Sequence, residues 1–211
     1  MNYLNKIESI KSLSNLDKIL ENLSNVDQEI YFIGGASRSI ILNDFNNKDI
    51  DLVVPNLEDS SIEKLINEFD AKFFPSYRSI SLKVNDYEFQ INSFRKDIKS
   101  TGRQAKVAPA FTLEEDSRRR DFTFNSIYIN LLGEAFDFYN GINDLKDSYL
   151  RFIFDPIDQI QKDYLRAIRY IRFLSLFKYT KLNPKDIDAI ILLSKNILEF
   201  VKEKKNLSRI E

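Results

Sequence analysis

The 211-residue chain contains no cysteine and no histidine. The first absence excludes disulfides, thiol nucleophiles and Cys/His zinc sites, and the second removes imidazole as a general acid or base. Any catalysis must therefore use carboxylates, lysine, arginine, hydroxyls or a metal ion held by oxygen ligands. No apolar run approaches the ~20 residues that span a bilayer. The opening stretch MNYLNKIESIKSLSNL has no apolar core of a secretory leader. A cytoplasmic protein with no membrane contact is expected. The formal net charge of −1 does not announce a polyanionic partner, although a local basic patch can sit within a neutral total.

Apolar residues make up 43% of the chain and charged residues 30%, the balance of a packed globular protein of one large or two small domains. Ile7, Ile10, Leu13, Leu16, Ile19, Leu20 and Leu23 follow helical spacing. EIYFIGG reads as a short strand closed by glycines, ASRSIILNDF as a short helix, and DIDLVVP as a strand ended by Pro55. DSSIEKLINEF reads as a helix with acids at its start. FFPSY, SISLKV and YEFQINSF read as further strands, and RKDIKSTGRQAKVAPAFT as a mobile loop, since it is polar and shows no period. LEEDSRRRDFTFNSIYIN reads as a short helix entering a strand. Beyond LLGEAFDFYNGINDL the pattern turns helical, near Asp158–Phe177, Pro184–Leu193 and Lys195–Lys205.

Four stretches carry candidate chemistry. Asp49 and Asp51 stand two apart on a strand, so both carboxylates project from one face. Like charges that close repel unless a cation lies between them or one is protonated. A shared pair of Mg²⁺ ions resolves the repulsion and supplies two-metal phosphoryl chemistry; solvated acids at a strand end are the alternative. Gly34 and Gly35 sit at a strand-to-helix turn, where backbone amides can approach a phosphate, and Arg38 in the following first turn can add a forked donor. In DSRRRDFTFN, at most two of residues 118 to 120 can serve one ligand. Arg119 and Arg120 are candidates for phosphate or base contacts, and Asp121 for a ribose hydroxyl. In KDYLRAIRYIRF, Arg166, Arg169 and Arg172 recur every three residues, and Asp163 is spaced to orient Arg166. A basic solvent face is the plainer reading of that helix.

The four stretches, in this order, resemble the class II tRNA nucleotidyltransferases (CCA-adding enzymes) and the related bacterial poly(A) polymerases, over about Tyr31 to Phe177. GGASRS…KDIDLVV is similar to that family's GGxVRD…DxDxx. EEDSRRRDFTFNSIYIN is similar to its DxxRRDFTINA, DFYNGINDL to its hinge, and DYLRAIRYIRF to its EDxxRxxRxxRF. The resemblance implies an α+β fold: a polymerase-β-like nucleotidyltransferase head with a small mixed sheet, followed by an all-α neck. The expected division is residues 1–137 for the head and 138–211 for the neck, with the family's body and tail absent or truncated. It implies that Asp49 and Asp51 are catalytic and bind Mg²⁺, that Gly34, Gly35 and Arg38 hold a triphosphate, and that Arg119, Arg120 and Asp121 contact the incoming nucleotide. Asp163 and Arg166 would form the template that reads CTP or ATP, the loop Lys96–Pro109 would help switch between them, and the partner would be a tRNA 3′ end.

The chain also departs from the pattern. Ser39 and Lys162 replace an aspartate and a glutamate, and Gln90 replaces a glutamate on a later strand, where Glu88 shares the face and is a possible third carboxylate. The final LSRIE is similar to the start of the family's next segment. The function expected is addition of C and/or A to tRNA 3′ ends. The alternatives are poly(A) addition, partial addition of C or A alone, transfer to another acceptor, and an inactive RNA- or nucleotide-binding remnant.

Overall fold

A computed structural model describes residues 2–23, 29–101, 104–176 and 181–202. Two helices, α1 (Leu4–Ser14) and α2 (Leu16–Leu20), precede β1 (Tyr31–Phe32), α3 (Gly35–Leu42), β2 (Asp49–Val54) and α4 (Asp59–Phe69). β3 (Lys72–Phe74), β4 (Ser79–Val84), β5 (Tyr87–Ser93), the hairpin β6 (Arg95–Thr101) and β7 (Gln104–Pro109), and α5 (Leu113–Ser117) follow. β8 (Tyr128–Asn130) and β9 (Ala135–Phe136) complete a seven-stranded sheet of order β3-β4-β5-β2-β1-β8-β9. Its β2–β5 contact is parallel and the others antiparallel, so the sheet is mixed.

β2 lies mid-sheet, and its alternation sorts two chemistries. Ile50, Leu52 and Val54 face the main core, with Phe32, Ile80, Phe89 and Ile91. Val53 faces the other way into a small cluster with Tyr31, Ile33, Phe94, Ala110 and Tyr128. Asp49 and Asp51 belong to Val53's face by period two, at the open end of the strand, where Asp49 is exposed and Asp51 half-buried. A one-residue slip would bury both acids, so the flanking apolar residues enforce their outward placement.

Three local expectations change. The polar stretch read as a loop is the β6–β7 hairpin, paired from Arg95↔Pro109 to Thr101↔Gln104 with a shift between Asp97 and Lys99. Its register rests on backbone bonds rather than on an apolar face, so no alternation betrays it; Gly102 at its turn lies outside the described residues. The first helical stretch is divided at Asn15, which takes the left-handed conformation (φ 55°) between α1 and α2, a conformation asparagine tolerates. The helix expected near Asp158–Phe177 is two, α7 (Pro156–Lys162) and α8 (Leu165–Leu176), separated by an extended Asp163 at φ −157° whose carboxylate accepts the Leu165 amide at 3.0 Å. Phe177, residues 203–205 and LSRIE lie outside the described residues.

The second half holds α6 (Gly141–Lys146), α9 (Pro184–Leu192) and α10 (Ser194–Lys202), plus a short parallel pair, β10 (Tyr149–Leu150) with β11 (Lys181–Leu182). The main core runs without interruption from Tyr3 to Ile197. Its centre is an aromatic group in which Phe122 stacks on Phe124 and Phe152 and meets the Phe173 edge at 5.4 Å, fixing α8 against the sheet-bearing half.

Asp186, buried at the start of α9, accepts the Phe152 amide at 3.0 Å and the Asn183 side chain at 3.2 Å. Burial pushes its carboxyl up to about 7, Asp155 adds to the rise, and the Phe152 amide and Arg151 oppose it. The folded protein therefore holds this proton better than the unfolded chain. The stabilisation is fully present below pH about 4 and lost as pH rises through about 7. Asp186→Asn is expected to flatten the fall in melting temperature between pH 5 and pH 8; an unchanged slope would assign that fall to other groups.

Candidate active site

The site starts at the β1–α3 turn. The Ile33 amide donates to the Asp51 carbonyl at 3.1 Å, tying the turn to β2. Gly34 adopts φ 61° and ψ −120°, a region that side chains disfavour. A Cβ there would stand 3.3 Å from Asp51 Oδ2, and one at Gly35 would stand 2.8 Å from the Asn47 side-chain nitrogen. The glycines thus bring the start of α3 directly against the carboxylate. Gly34→Ala is expected to retain the fold with a stability loss of about 1–2 kcal/mol. Activity should fall more than stability does, because the methyl group presses on Asp51; steady-state rates beside melting curves measure both.

Arg38, one turn into α3, donates to Asn125 Oδ1 and lies over the rings of Phe173 (5.1 Å) and Phe124 (5.8 Å). Burial lowers its guanidinium to about 10, with Asp121 and Asp51 acting against the drop. Asp51 is shifted upward, first by burial and further by Asp49, while Arg120 and Arg38 pull the other way. On the parallel neighbour β5, Glu88 stands beside Asp49 and Gln90 beside Asp51. Among the described residues no group of three or more carboxylates is arranged to hold a metal ion; Glu88 stands as the strand neighbour of Asp49. Two hard oxygen donors on one strand face, with one carboxyl raised by its surroundings, suit a hard divalent cation.

The second wall comes from the arginine-rich segment. Asp116 is fully buried in α5 and accepts from Arg119 Nε (3.0 Å), Arg120 Nη2 (2.9 Å), the Tyr128 hydroxyl (2.7 Å) and the Arg95 amide (3.1 Å). Burial pushes its carboxyl up, but Arg120 and Arg119 outweigh it and hold the group well below the usual carboxylate range. Arg118 turns outward to Glu114 at 2.7 Å. Two of the three arginines therefore share a side and the third leaves it, as the spacing required. Asp116 is absent from the expected site residues; its position three and four before two arginines was the available signal.

Asp121 is buried and accepts from the Phe122 amide (2.9 Å) and Asn125 Nδ2 (3.0 Å), with Arg169 Nε 3.1 Å away. Burial raises its carboxyl, but Arg169 and Asn125 more than compensate and hold it low. Asp163 does not pair with the Arg166 guanidinium. Its carboxylate meets Arg169 at 3.2 Å, whereas Arg166 donates to the Arg119 carbonyl at 2.7 Å and keeps Nε and Nη1 buried with no partner among the described residues. Arg169 is thus a clamp between Asp121 and Asp163, unforeseen in the sequence.

These residues line two adjacent cavities. One of about 730 Å³ is bounded by Gly34, Gly35, Arg38, Asp49, Asp51 and Arg172, and Ser39 lies in its wall. The other, of about 450 Å³, is bounded by Gln90, Arg119, Asp163 and Arg166, together with Phe74 and Tyr77. Arg120, Asp121 and Arg169 border both. Every expected nucleotide-contacting residue borders one cavity or the other. The arginine stripe of α8 runs along the cleft, from Arg166 in one cavity to Arg172 in the other.

A mixed sheet with two acids on its middle strand, beneath a Gly-Gly turn and backed by a helical half, has the fold of a polymerase-β-like nucleotidyltransferase head. The chain belongs to the poly(A) polymerase head-domain family, whose model matches residues 30–151. It is 32% identical over 192 residues to the human mitochondrial CCA tRNA nucleotidyltransferase 1, covering 87% of this chain and 42% of that protein. It is 30% identical over 194 residues to the CCA-adding enzyme of Lactobacillus helveticus, covering 88% and 47%. In fold it resembles the Bacillus stearothermophilus CCA-adding enzyme in complex with CTP, with a TM-score of 0.66, 24% identity, and coverage of 84% and 43%. The chain spans less than half the length of these relatives. Among the described residues no helix is long and apolar enough to cross a membrane.

Proposed function

We propose that this chain is the catalytic portion of a metal-dependent nucleotidyltransferase that adds C and/or A from CTP and ATP to the 3′ end of tRNA. The observation that carries the reading is the Asp49–Asp51 face against Gly34, on a cavity that shares Arg120, Asp121 and Arg169 with the one lined by Asp163 and Arg166. In this reading residues 1–137 form the head and residues 138–211 the neck, and the protein is cytoplasmic.

Gly34 and Gly35 admit the triphosphate to the N-terminus of α3, where backbone amides and the helix dipole favour an anion. Arg38, fixed by Asn125 and two rings, neutralises part of its charge. Asp116 holds Arg120 and Arg119 rigid at the cleft wall, so their donors face the nucleotide with little reorganisation. Asp121 accepts from the ribose. Arg166, anchored on the Arg119 carbonyl, and Asp163 line the second cavity together; in this reading Arg166 donates to the acceptors of a base edge and Asp163 accepts from an exocyclic amino group. Cytosine and adenine present such an amino donor where uracil and guanine present a carbonyl. Asp49 and Asp51 would hold Mg²⁺, with Glu88 a possible further ligand. The metal supplies charge neutralisation at the attacking 3′-hydroxyl and the leaving pyrophosphate.

The retained acid pair sets this reading above an inactive remnant, which Ser39, Lys162 and Gln90 favour. Incubating the protein and Mg²⁺ with a tRNA transcript and each of the four labelled nucleoside triphosphates tests it. Label is expected from CTP or ATP and not from GTP or UTP; equal incorporation of all four would remove the base-reading role of Asp163 and Arg166.

A further inference from the structure

A third cavity, of about 450 Å³, is lined by Lys96, Asp97 and Ile98 of β6 and adjoins the second, with which it shares Asp97, Arg119 and Arg166. It shares no lining residue with the cavity that holds Asp49 and Asp51. Five cationic side chains, Lys96, Arg118, Arg119, Lys162 and Arg166, face two carboxylates, Asp97 and Glu115. Most of this charge is committed: Arg119 to Asp116 at 2.9 Å, Lys96 to Glu115 at 3.2 Å, and Arg166 to a backbone carbonyl. Lys162, exposed in the last turn of α7, makes no ion pair among the described residues. Arg118 is held by one exposed pair with Glu114, a solvent-screened contact that is easily exchanged.

Lys162 and the surface-paired Arg118 coincide with variable or altered positions in the family pattern. Arg118 falls at an unspecified position of DxxRRDFTINA, and Lys162 stands where EDxxRxxRxxRF begins with glutamate. Both choices put positive charge on one cavity, and the second reverses its sign. An exposed Ile98 (61%) lines the same cavity, adding an apolar surface of the kind on which a ribose or base can rest beside a phosphate.

We propose that this third cavity is a phosphodiester-binding site for the acceptor RNA, with Lys162 and Arg118 as its contacts. The ligand chemistry is a phosphate oxyanion; its separation from the Asp49–Asp51 cavity assigns it to the RNA backbone and not to the nucleotide's triphosphate. The inference rests on the proposed transfer to RNA, but its test reads binding apart from turnover.

The experiment measures the affinity of the full chain for a labelled tRNA transcript lacking its CCA end, across a series of salt concentrations. Wild type is compared with Lys162→Glu and Arg118→Ala, each checked for an unchanged melting temperature. Each variant is expected to bind the RNA severalfold more weakly and to lower the slope of log affinity against log salt by about 1, with KM for CTP unchanged. Unchanged affinity and slope in both variants would overturn the proposal. So would a raised KM for CTP with unaltered RNA binding, which would give the site to the free nucleotide, or a wild type that does not bind the transcript. A wild type that binds with the expected charge dependence yet extends no RNA overturns the transfer reading and leaves the phosphate site standing.

Discussion

Replacing Asp51 by asparagine is expected to lower nucleotide incorporation by about 10³-fold or more and to leave the fold intact or slightly more stable. A metal ion at a phosphoryl centre supplies several kcal/mol of transition-state charge stabilisation, and each 1.36 kcal/mol is a tenfold change in rate. The stability side follows from the direction of the carboxyl's shift. Burial and the neighbouring Asp49 push Asp51 upward despite Arg120 and Arg38, so folding disfavours its ionised form. Sign follows from linkage: with the folded value above the unfolded one, the stabilising contribution belongs to low pH and is lost as pH rises. A neutral side chain removes that loss at neutral pH. Activity and melting temperature are thus expected to move in opposite directions, the pattern of a group kept for chemistry at a cost to stability. Incorporation within tenfold of wild type would contradict the assignment.

Asp116→Ala is expected to have the largest effect on stability, about 3–5 kcal/mol, because it strands buried cations rather than removing a favourable pair alone. Four donors converge on that carboxylate, which is fully buried. Without it Arg119 and Arg120 are left half-buried and uncompensated, and the Tyr128 hydroxyl loses its acceptor. Domains of this kind hold only about 5–15 kcal/mol in total, so the variant should unfold at a much lower urea concentration. Arg118→Ala, which breaks an exposed, solvent-screened pair of the same motif, should leave the urea midpoint nearly unchanged. Equal urea midpoints for the two variants would show that the Asp116 network is not a structural anchor.

The acid pair and its turn were legible because they depend on short-range rules. Period two alone puts Asp49 and Asp51 on one face, and the buried Ile50, Leu52 and Val54 pin that face outward. Alternation and punctuation likewise revealed most of the sheet. The failures share a different cause. The Asp163–Arg166 expectation assumed a continuous helix, where residues three apart are neighbours. Asp163 is extended instead, so the helical rule does not apply, and its carboxylate reaches Arg169. The β6–β7 hairpin has no apolar face to alternate, and the turn at Asn15 falls inside a spacing that stays helical on both sides. Asp116 stands beside Glu114 and Glu115 with nothing local to mark it as buried, because its burial comes from packing against β6 and β8, outside α5.

The most direct measurement is the 3′ sequence of products formed from tRNA transcripts ending before CCA, after its first C and after its second C, beside an unrelated hairpin RNA. With Mg²⁺, CTP and ATP, the tRNA transcripts are expected to gain C and/or A at their 3′ ends, and the hairpin to remain unextended. No extension of any transcript, or equal extension of the hairpin, would contradict the account.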